Sequence, residues 1–334
     1  MSRQIGIPTG VVTALASAAF VLSWSSGFLG AKLGTGQAPV PTLLLWRFVV
    51  VAAVLGAALG LARLLRPARH RRRAGRPVTG AAAAPHLARP RATTHHVVVG
   101  LLSQVGYVLP VYGAIGLGVS TGATSLVDAV QPVLVATLVG PLLGQRVRRL
   151  QWAGLATASV GVAFLVAADL RVTAAPPWAY ALPAAAVASL VSATFVERRR
   201  PAALPAVPML ALHAAVAAIA LLVIALATGT VVPPADAGFW GSTVFLALVP
   251  SLAAYGLYWT LLRRVDVTTL NALLFLVVPT TTLAGAGLFG EALSPATGVG
   301  LALSGLGVAA VIRGEARGAA RAARGGDDDG PHRP

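Results

Sequence analysis

The sequence predicts an all-α polytopic membrane protein with ten transmembrane helices, arranged as two inverted five-helix repeats. Three observations predict this fold class. Hydrophobic residues make up 56% of the 334-residue chain and charged residues only 11%, which lies outside the range of water-soluble domains. Ten apolar segments have about the length that crosses a bilayer, and the arginines cluster in alternate connections between those segments. A water-soluble fold is therefore excluded.

The ten apolar segments define the predicted spans. A helix needs about 20 apolar residues to cross a hydrocarbon layer of roughly 30 Å. Segments near this length lie at residues 10–31, 41–63, 96–117, 120–144, 150–168, 178–196, 206–228, 239–262, 268–289 and 295–313. The first segment contains ALASAA, whose small residues are typical of a cleaved signal peptide. The nine later spans and the polar LSWSS stretch favour a helix that is retained.

The arginines predict how the chain is oriented. If alternate connections are counted as cytoplasmic, the opposite connections hold only Lys32 and Arg171. Because positively charged connections stay in the cytoplasm, both termini are predicted to be cytoplasmic. Residues 1–9 would then form a cytoplasmic N-terminus and residues 314–334 a disordered cytoplasmic tail. We expect the protein in the cell membrane, plasma or inner.

The longest connection, residues 64–95, is rich in arginine, alanine and proline and lacks hydrophobic periodicity. It is predicted to be a disordered, basic cytoplasmic loop. Each arginine held against anionic lipid contributes about 1 kcal/mol, so anionic lipid of the bilayer is the expected partner of this loop. Nucleic acid, which a net charge of +16 would suggest in a soluble protein, is not expected.

An internal repeat relates the two halves of the chain, residues 10–168 and 178–313. When Pro132 is aligned with Pro279, similar residues recur in the same order over five spans, which indicates a duplication. The matched pairs are Ser25 with Ser192, Phe28 with Phe195, Arg47 with His213, Tyr112 with Trp259, Thr121 with Thr268, Thr124 with Asn271, Gly154 with Gly300, and Gly161 with Gly307. Because five is odd, the halves are predicted to sit in opposite orientations in the membrane.

The fourth span combines polar residues with a helix breaker. Asp128, Gln131 and Pro132 lie near the middle of an apolar segment, where a carboxylate is costly and proline frees a main-chain carbonyl one turn earlier. We predict helix breaks at Pro132 and at its repeat counterpart Pro279. Asp128 would either be paired with a neighbour inside a kinked core helix or line a path for a solute, where it would contact the substrate or exchange a proton.

The candidate binding residues are polar and aromatic side chains inside predicted spans. Aromatic residues in spans three and eight could stack on an organic solute, although aromatic residues at helix ends usually belong to the membrane interface. Small polar residues in spans one and six could equally serve helix packing. The candidates are Trp24, Ser25, Arg47, Tyr107, Tyr112, Asp128, Gln131, Ser192, Tyr255, Trp259 and Asn271.

Arg47 and its repeat counterpart His213 each allow more than one interpretation. Arg47 could extend to the outer surface, pair with Asp128, or contact a substrate. His213 is more typical of a hydrogen-bonded packing residue than of a proton carrier, although the titration range of histidine allows the second role. Close approach of helices, with hinging as a secondary role, is expected at seven glycines: Gly154, Gly161, Gly285, Gly287, Gly300, Gly305 and Gly307.

Four stretches point to a known family. They are the small and polar first span around Trp24, Ser25 and Ser26, the LLLWRFVVVAAVL second span, the block VYGAIGLGVSTGATSLVDAVQPVLVATLVGPLLGQR, and its echo YWTLLRRVDVTTLNALLFLVVPTTTLAGAGLFGEALSPATGVGLALSGLGVAAVIR. On these residues the chain resembles the EamA-type members of the drug/metabolite transporter superfamily over nearly its whole length. The resemblance implies ten spans, cytoplasmic termini and a central cavity formed by both halves. It also implies export or exchange of amino acids, drugs, nucleobases, sugar nucleotides or other metabolites.

One position departs from that family. The first repeat of such proteins usually has a glutamate at the end of span four, where this chain has Gln145, while Glu291 keeps the acid in the second repeat. The difference favours a structural role for Glu291 at the membrane boundary near the start of span ten.

The sequence lacks enzymatic signatures. It has no cysteine, which excludes disulfides and thiolate metal sites, and neither metal-ligand spacing nor a phosphate-binding glycine loop is found. No metal and no other cofactor is expected. Without a nucleotide-binding module, a gradient or an exchanged solute would have to drive transport.

These observations predict a secondary transporter that exports small organic metabolites or drug-like compounds by alternating access. Its expected partners are a small-molecule substrate and either a coupling proton or an exchanged solute, and the protein would be a monomer or a homodimer. One alternative is an importer or facilitator of the same fold. Another is a multi-span membrane enzyme that acts on lipid.

Overall fold

The computed structural model describes residues 9–65, 90–143, 149–199, 204–261, 263–265 and 267–325. Within these ranges the chain is helical and has no β-strand, so the all-α prediction is confirmed. In chain order the helices are α1 (Thr9–Thr35), α2 (Val40–Leu64), α3 (Pro90–Gly100), α4 (Gly106–Gly116), α5 (Thr121–Ala129), α6 (Gln131–Leu143), α7 (Arg149–Asp169), α8 (Ala181–Arg199), α9 (Ala206–Ala227), α10 (Ala237–Leu246), α11 (Ala254–Leu261), α12 (Val267–Phe289) and α13 (Pro295–Gly325). A π-helical turn over Leu101–Val105 joins α3 to α4, a second over Ala247–Ala253 joins α10 to α11, and a 3-10 turn over Pro177–Tyr180 precedes α8.

Many of these helices, singly or joined through a π or 3-10 turn, are long and apolar enough to cross a membrane. In the described part of the chain, seven helical stretches meet that requirement: Gly10–Thr35, Val40–Leu64, Thr94–Gly116, Arg149–Asp169, Pro177–Glu197, Ala206–Ala227 and Ala237–Leu261. Leu273–Phe289 and Pro295–Val311 are shorter apolar helices, and α5 and α6 together occupy the remaining predicted span. The chain is a multi-pass membrane protein, as predicted.

Contacts between helix termini identify two ends of the helix bundle. At the first, which we call the Lys32 end, Lys32 near the end of α1 and Thr121 at the start of α5 both bind Glu291. At the second, the His95 end, His95 near the start of α3 lies against the end of α8. The 23 residues of Thr94–Gly116 separate these ends by about 34 Å at 1.5 Å per residue, which is close to the thickness of the hydrocarbon layer.

The helix break predicted near Pro132 falls at Val130, between α5 and α6. Pro132 is the second residue of α6, where a helix does not use the N–H that proline lacks. At Pro279, by contrast, α12 continues as an α-helix, so the predicted second break does not interrupt the helix. Thr280, the next residue, donates its hydroxyl to the carbonyl of Leu276 at 2.8 Å, whereas the carbonyl that Pro279 deprives of its α-helical donor is that of Phe275.

The two π-helical turns occupy equivalent places in the repeat. The alignment of Pro132 with Pro279 sets Ser103, in the middle of the first π turn, opposite Pro250, in the middle of the second. A π turn widens a helix and is common at functional sites. Residues of both turns line the same cavity, so the repeat predicted from the sequence brings two irregular turns to the centre of the bundle.

The last helices of the two halves, α7 and α13, pack antiparallel through glycines. A Cβ at Gly154 would lie 2.6 Å from the carbonyl oxygen of Gly307, and one at Gly161 would lie 2.7 Å from that of Gly300. The expectation that glycines permit close approach is confirmed at these four positions, whereas a Cβ at Gly287 would meet no atom of the described residues within 4 Å. The repeat equates Gly154 with Gly300 and Gly161 with Gly307, so each contact is the repeat-related copy of the other, as a two-fold relation requires.

Two predicted loop boundaries differ from the structure. α3 begins at Pro90, inside the predicted loop of residues 64–95. Residues 66–89, which carry most of the arginines predicted to bind anionic lipid, lie outside the described residues, as does Gln145. α13 continues to Gly325, so the first part of the predicted disordered tail is helical. Its sequence EARGAARAAR is rich in alanine and arginine, which are strong helix formers.

Candidate functional site

A cavity lies in the middle of the bundle, between residues of both halves. Its volume is about 70 Å³, well below the ~300 Å³ of the smallest typical ligand pockets. The helices must therefore move apart before an organic solute can enter. The lining residues are Trp24, Gly27, Phe28, Arg47, Phe48, Val51, Ser103, Gln104, Tyr107, Val108, Val111, Tyr112, Leu210, Ala214, Pro250, Ser251 and Tyr255.

Arg47 places a charge on the wall of this cavity. The residue is only 7% exposed, so it does not extend to the surface. Its Nε donates to Ser251 Oγ at 3.0 Å and its Nη1 to Tyr112 Oη at 2.6 Å. The ion pair with Asp128 that the sequence left open is not formed, and Arg47 has no acidic partner among the residues that the structure describes. The two bonding partners of the guanidinium are therefore neutral hydroxyls.

The position of Arg47 depends on a proline in the second π turn. Pro250 has no N–H, so the carbonyl of Leu246, four residues earlier, has no α-helical donor. Ser251 Oγ donates to that carbonyl at 2.8 Å and also accepts the hydrogen bond from Arg47. Sequence reasoning missed Ser251, although a Pro-Ser pair inside an apolar span was a usable signal.

Tyr112 connects Arg47 to the first helix. It lies on α4, is 3% exposed, accepts from Arg47 of α2, and donates to the carbonyl of Gly27 on α1 at 3.2 Å. Gly27 itself lies close to the second π turn, since a Cβ there would be 3.3 Å from Pro250 Cβ. Three helices and a π turn therefore meet around one guanidinium.

Asp128 lies in the last turn of α5, just before the helix break. Its Oδ2 accepts the hydroxyl of Tyr107 at 3.0 Å, and its Oδ1 is buried with no hydrogen-bond partner in the described part of the chain. A buried carboxylate oxygen without a partner is costly. Tyr107 lines the cavity and Asp128 does not, so Asp128 lies directly behind the wall and is bonded to it through Tyr107.

Aromatic rings form one wall of the cavity. Trp24 and Tyr255 both line it, and their ring centroids are 5.8 Å apart. Phe20 extends this wall, 5.4 Å from Trp24 and 6.2 Å from Tyr258. Trp259 packs edge-on against Tyr258 at 5.9 Å and is not among the lining residues. Offset and tilted rings of this kind present a flat apolar surface on which an organic solute can stack.

The other predicted site residues lie away from the cavity wall. Ser25 is buried and donates to the carbonyl of Val277 at 3.4 Å, which joins α1 to α12. Gln131 begins α6, beyond the break. Ser192 donates to a carbonyl of its own helix at 2.7 Å and lines a different cavity. The side chain of Asn271 lies outside what the structure describes.

This second cavity, of about 590 Å³, lies between α5, α6, α7 and α8. Among the described residues, its walls are apolar apart from Ser159 and Ser192, and none of the lining side chains is charged. A ligand site normally combines an apolar lining with a few convergent polar groups. The central cavity has that combination although it is smaller, and it is therefore the candidate site.

Glu291 closes the bundle at the Lys32 end. Its carboxylate accepts the main-chain N–H of Thr121 at 3.0 Å and the Thr121 hydroxyl at 2.8 Å, at the start of α5, where the helix dipole favours a negative charge. Lys32 Nζ donates to the same carboxylate at 2.7 Å. We call Lys32, Thr121 and Glu291 the latch. The structural role favoured for Glu291 from the sequence agrees with these contacts, whereas sequence reasoning gave Lys32 no part in them.

Histidines of α3 and α9 lie together at the His95 end. His95 Nε2 is 3.0 Å from a carboxylate oxygen of Glu197, and the rings of His96 and His213 have centroids 6.0 Å apart. His96 and His213 are buried, and each has a ring nitrogen without a hydrogen-bond partner in the described residues. His213, the repeat counterpart of Arg47, therefore packs against other rings and does not line the central cavity.

Comparisons with known proteins agree with this architecture. The model of the EamA-like transporter family matches residues 9–167 and 177–313 separately, close to the predicted halves, 10–168 and 178–313. A search of curated proteins finds no match. Among solved structures, one described as "Crystal structure of protein" is 24% identical, with a TM-score of 0.58 over 90% of this chain and 96% of that chain. That similarity shows a shared fold.

Proposed function

This chain belongs to the EamA-like transporter family, and from that premise we propose that it is a secondary transporter of a small organic solute that works by alternating access. The resemblance inferred from the sequence is thereby confirmed, and the chain is a membrane transporter of the drug/metabolite superfamily.

The observation that carries the proposal is the composition of the central cavity. Helices of both halves contribute to it, and a buried arginine and an aromatic wall face the same space. Polar groups in the middle of a membrane protein are costly unless they serve a path or a site. A site between two repeated halves suits transport, because motion of one half against the other can open it to either face.

The reciprocal glycine contacts of α7 and α13 support inverted halves. A two-fold axis in the membrane plane interchanges two antiparallel helices and interchanges their contacts. The pairing of Gly154 with Gly307 and of Gly161 with Gly300 fits such an axis. In the proposed arrangement ten spans form two halves of five, and swapping the conformations of the halves converts one open state into the other.

The latch gives the proposed cycle its closed end. Lys32, Thr121 and Glu291 hold α1, α5 and the connection after α12 together. The cavity lining extends instead toward Leu210 and Ala214, near the start of α9 at the His95 end. In the proposed cycle the solute enters from the His95 end, the latch then opens, and the solute leaves at the Lys32 end.

We further propose that the His95 end faces the cytoplasm of the cell and that net transport is export. The connections on that side carry the arginine clusters, including Arg263 and Arg264, and positively charged connections remain cytoplasmic. Both termini would then be cytoplasmic. The conformation described here, with its latch shut and a cavity of about 70 Å³, would be the one from which the His95 end opens to admit solute from inside.

The proposal is tested by measuring flux of labelled organic solutes in proteoliposomes under an imposed solute or proton gradient. A transporter produces gradient-dependent uptake only when the vesicles are sealed. Conversion of solute by the protein in detergent micelles, without any flux across sealed vesicles, would instead support a membrane enzyme. A matched sample of empty liposomes gives the background leak.

A further inference from the structure

We infer that the central cavity recognises its solute by a carboxylate, so that the substrate class is a small organic anion with an aromatic or apolar body, bound by Arg47. The inference rests on the proposed transport function and adds to it the chemical class of the solute. Three observations lead to it: an uncompensated buried cation, its unused hydrogen-bond donors, and the chemistry of the surrounding wall.

The charge of Arg47 is not balanced by the protein in the described residues. A guanidinium stays protonated in proteins, and a buried charge is costly unless an opposite charge compensates it. Its two partners, Ser251 and Tyr112, are neutral hydroxyls. The carboxylates with described side chains are all bonded elsewhere: Asp128 to Tyr107, Asp169 to Tyr180, Glu197 to His95, Asp236 to the start of α10, and Glu291 to the latch.

The remaining donors of Arg47 suit a carboxylate. A guanidinium has five N–H groups, of which one on Nε and one on Nη1 are used. The other three have no partner among the described residues, and Arg47 lines the cavity. A planar guanidinium donates two parallel hydrogen bonds to the two oxygens of one carboxylate, which a neutral ligand cannot accept in the same way. The bonds to Ser251 and Tyr112 hold the guanidinium plane in place for this contact.

The wall around Arg47 specifies the rest of the solute. Trp24 and Tyr255 offer ring faces, and Val51 and Val111 are apolar. No carboxylate lines the described wall, and Asp128 lies behind Tyr107. An ammonium group on the solute would therefore lie near a cation without an acid on the wall to receive it. These features favour an anion without an amine over a zwitterion or a cation.

The test compares three ligands that share one body and differ in one group: 3-phenylpropanoate, 3-phenylpropan-1-ol and 3-phenylpropan-1-amine. Binding to the full-length protein in detergent is measured by titration calorimetry. We expect the carboxylate to bind at least about 10-fold more tightly than the alcohol or the amine, because hydrogen bonds to charged groups are the stronger ones. Equal or tighter binding of the amine overturns the inference, and so does the absence of binding by all three ligands.

Variants then assign the preference to Arg47. Arg47→Met should weaken carboxylate binding roughly 10- to 100-fold and change alcohol binding by less than about 3-fold. Arg171→Met removes an exposed arginine outside the cavity and should leave all affinities unchanged. Arg47→Lys keeps the charge but loses the planar fork, so an intermediate loss of about 3- to 10-fold is expected. This variant and the wild-type ligand comparison keep the inference testable if Arg47→Met does not fold. Unchanged carboxylate affinity in a folded Arg47→Met protein overturns it.

Counterflow in proteoliposomes separates this inference from the proposed function. Flux of the alcohol or the amine without flux of the carboxylate would leave transport standing and overturn the anion assignment. Arg47-dependent binding of the carboxylate in detergent, with no flux of any ligand across sealed vesicles, would contradict transport and leave the binding assignment standing. Arg47-dependent flux of the carboxylate supports both.

Discussion

Replacing Glu291 by glutamine tests whether the latch holds one conformation closed. Glutamine keeps an oxygen that can accept from Thr121 but removes the negative charge shared between the start of α5 and Lys32. Hydrogen bonds to charged groups contribute about 1.5–3 kcal/mol. The side chain of Lys32 is 30% exposed, which weakens the ion pair, so we expect a loss of about 2 kcal/mol from the closed conformation.

This loss converts into a change of population. If the latch contacts exist only while the Lys32 end is shut, about 2 kcal/mol favours the open conformation by about 30-fold relative to the wild type. The chain has no cysteine, so a single cysteine at Val111 on the cavity wall can report access. Its labelling by a membrane-impermeant maleimide, added on the face that carries Lys32, should become up to about 30-fold faster in Glu291→Gln.

The matched control is Asp236→Asn, which removes another carboxylate from the Lys32 end. Asp236 caps α10 through the N–H of Phe239 at 3.0 Å and makes no contact with the latch among the described residues. Its substitution should leave labelling at Val111 unchanged. Lys32→Gln combined with Glu291→Gln should add little to Glu291→Gln alone, because the single change already removes the ion pair with Lys32. Equal labelling rates in Glu291→Gln and Asp236→Asn would refute the role of the latch.

Three further substitutions test other parts of the account. Asp128→Asn keeps the shape of the side chain and its bond to Tyr107 but removes the negative charge. Solute flux in proteoliposomes should therefore fall about 10-fold and lose its response to a pH gradient. Wild-type flux with an unchanged response would show that Asp128 neither contacts the solute nor exchanges a proton. Gly161→Leu should lower the free energy of unfolding by about 3 kcal/mol, because its Cβ would press on the main chain of α13. Gly287→Ala, whose Cβ would have no atom of the described residues within 4 Å, should change it little. Ser251→Ala removes the hydroxyl that donates to the carbonyl of Leu246 and accepts from Nε of Arg47. It should cost about 1–3 kcal/mol in unfolding experiments, and undiminished stability would contradict the role given to the Pro-Ser pair.

The positions of the helices were predictable because span length depends only on local composition. Each predicted apolar segment is helical in the described chain. The repeat alignment also equates Ser103 with Pro250, which lie in the two π turns. The tail was predicted less well, because charge and glycine content suggested disorder while the alanines of α13 sustain a helix. Composition thus located elements well and their ends less well.

The partners of the site residues were less predictable than the residues themselves. Arg47, Tyr107, Tyr112, Trp24 and Tyr255 were candidates, and all five line one cavity. Pairing depends on which helices are neighbours, and that is not a local property of sequence. The structure therefore shows hydroxyl partners for Arg47 where an acidic partner had been considered.

The latch was only partly predictable, for the same reason. Glu291 was placed at a membrane boundary from the sequence, but its bonds to Thr121 and Lys32 join residues far apart in the chain. Neither residue carries a local signal for that contact. The predicted break at Pro279 was misleading in another way, since a proline can be accommodated inside a transmembrane helix without ending it.

The central claim is that the two ends of the bundle open alternately around one cavity. It is tested most directly by measuring distances between pairs of spin labels on introduced cysteines by pulsed electron paramagnetic resonance. One pair lies near the Lys32 end, at Leu33 and Leu293, and the other near the His95 end, at Val98 and Thr260. The distances are measured in proteoliposomes with and without transported solute. Alternating access predicts two distance populations for each pair, with solute or Glu291→Gln lengthening the first distance while the second shortens. A single, unchanged distance for both pairs under conditions where solute is moving would contradict the account.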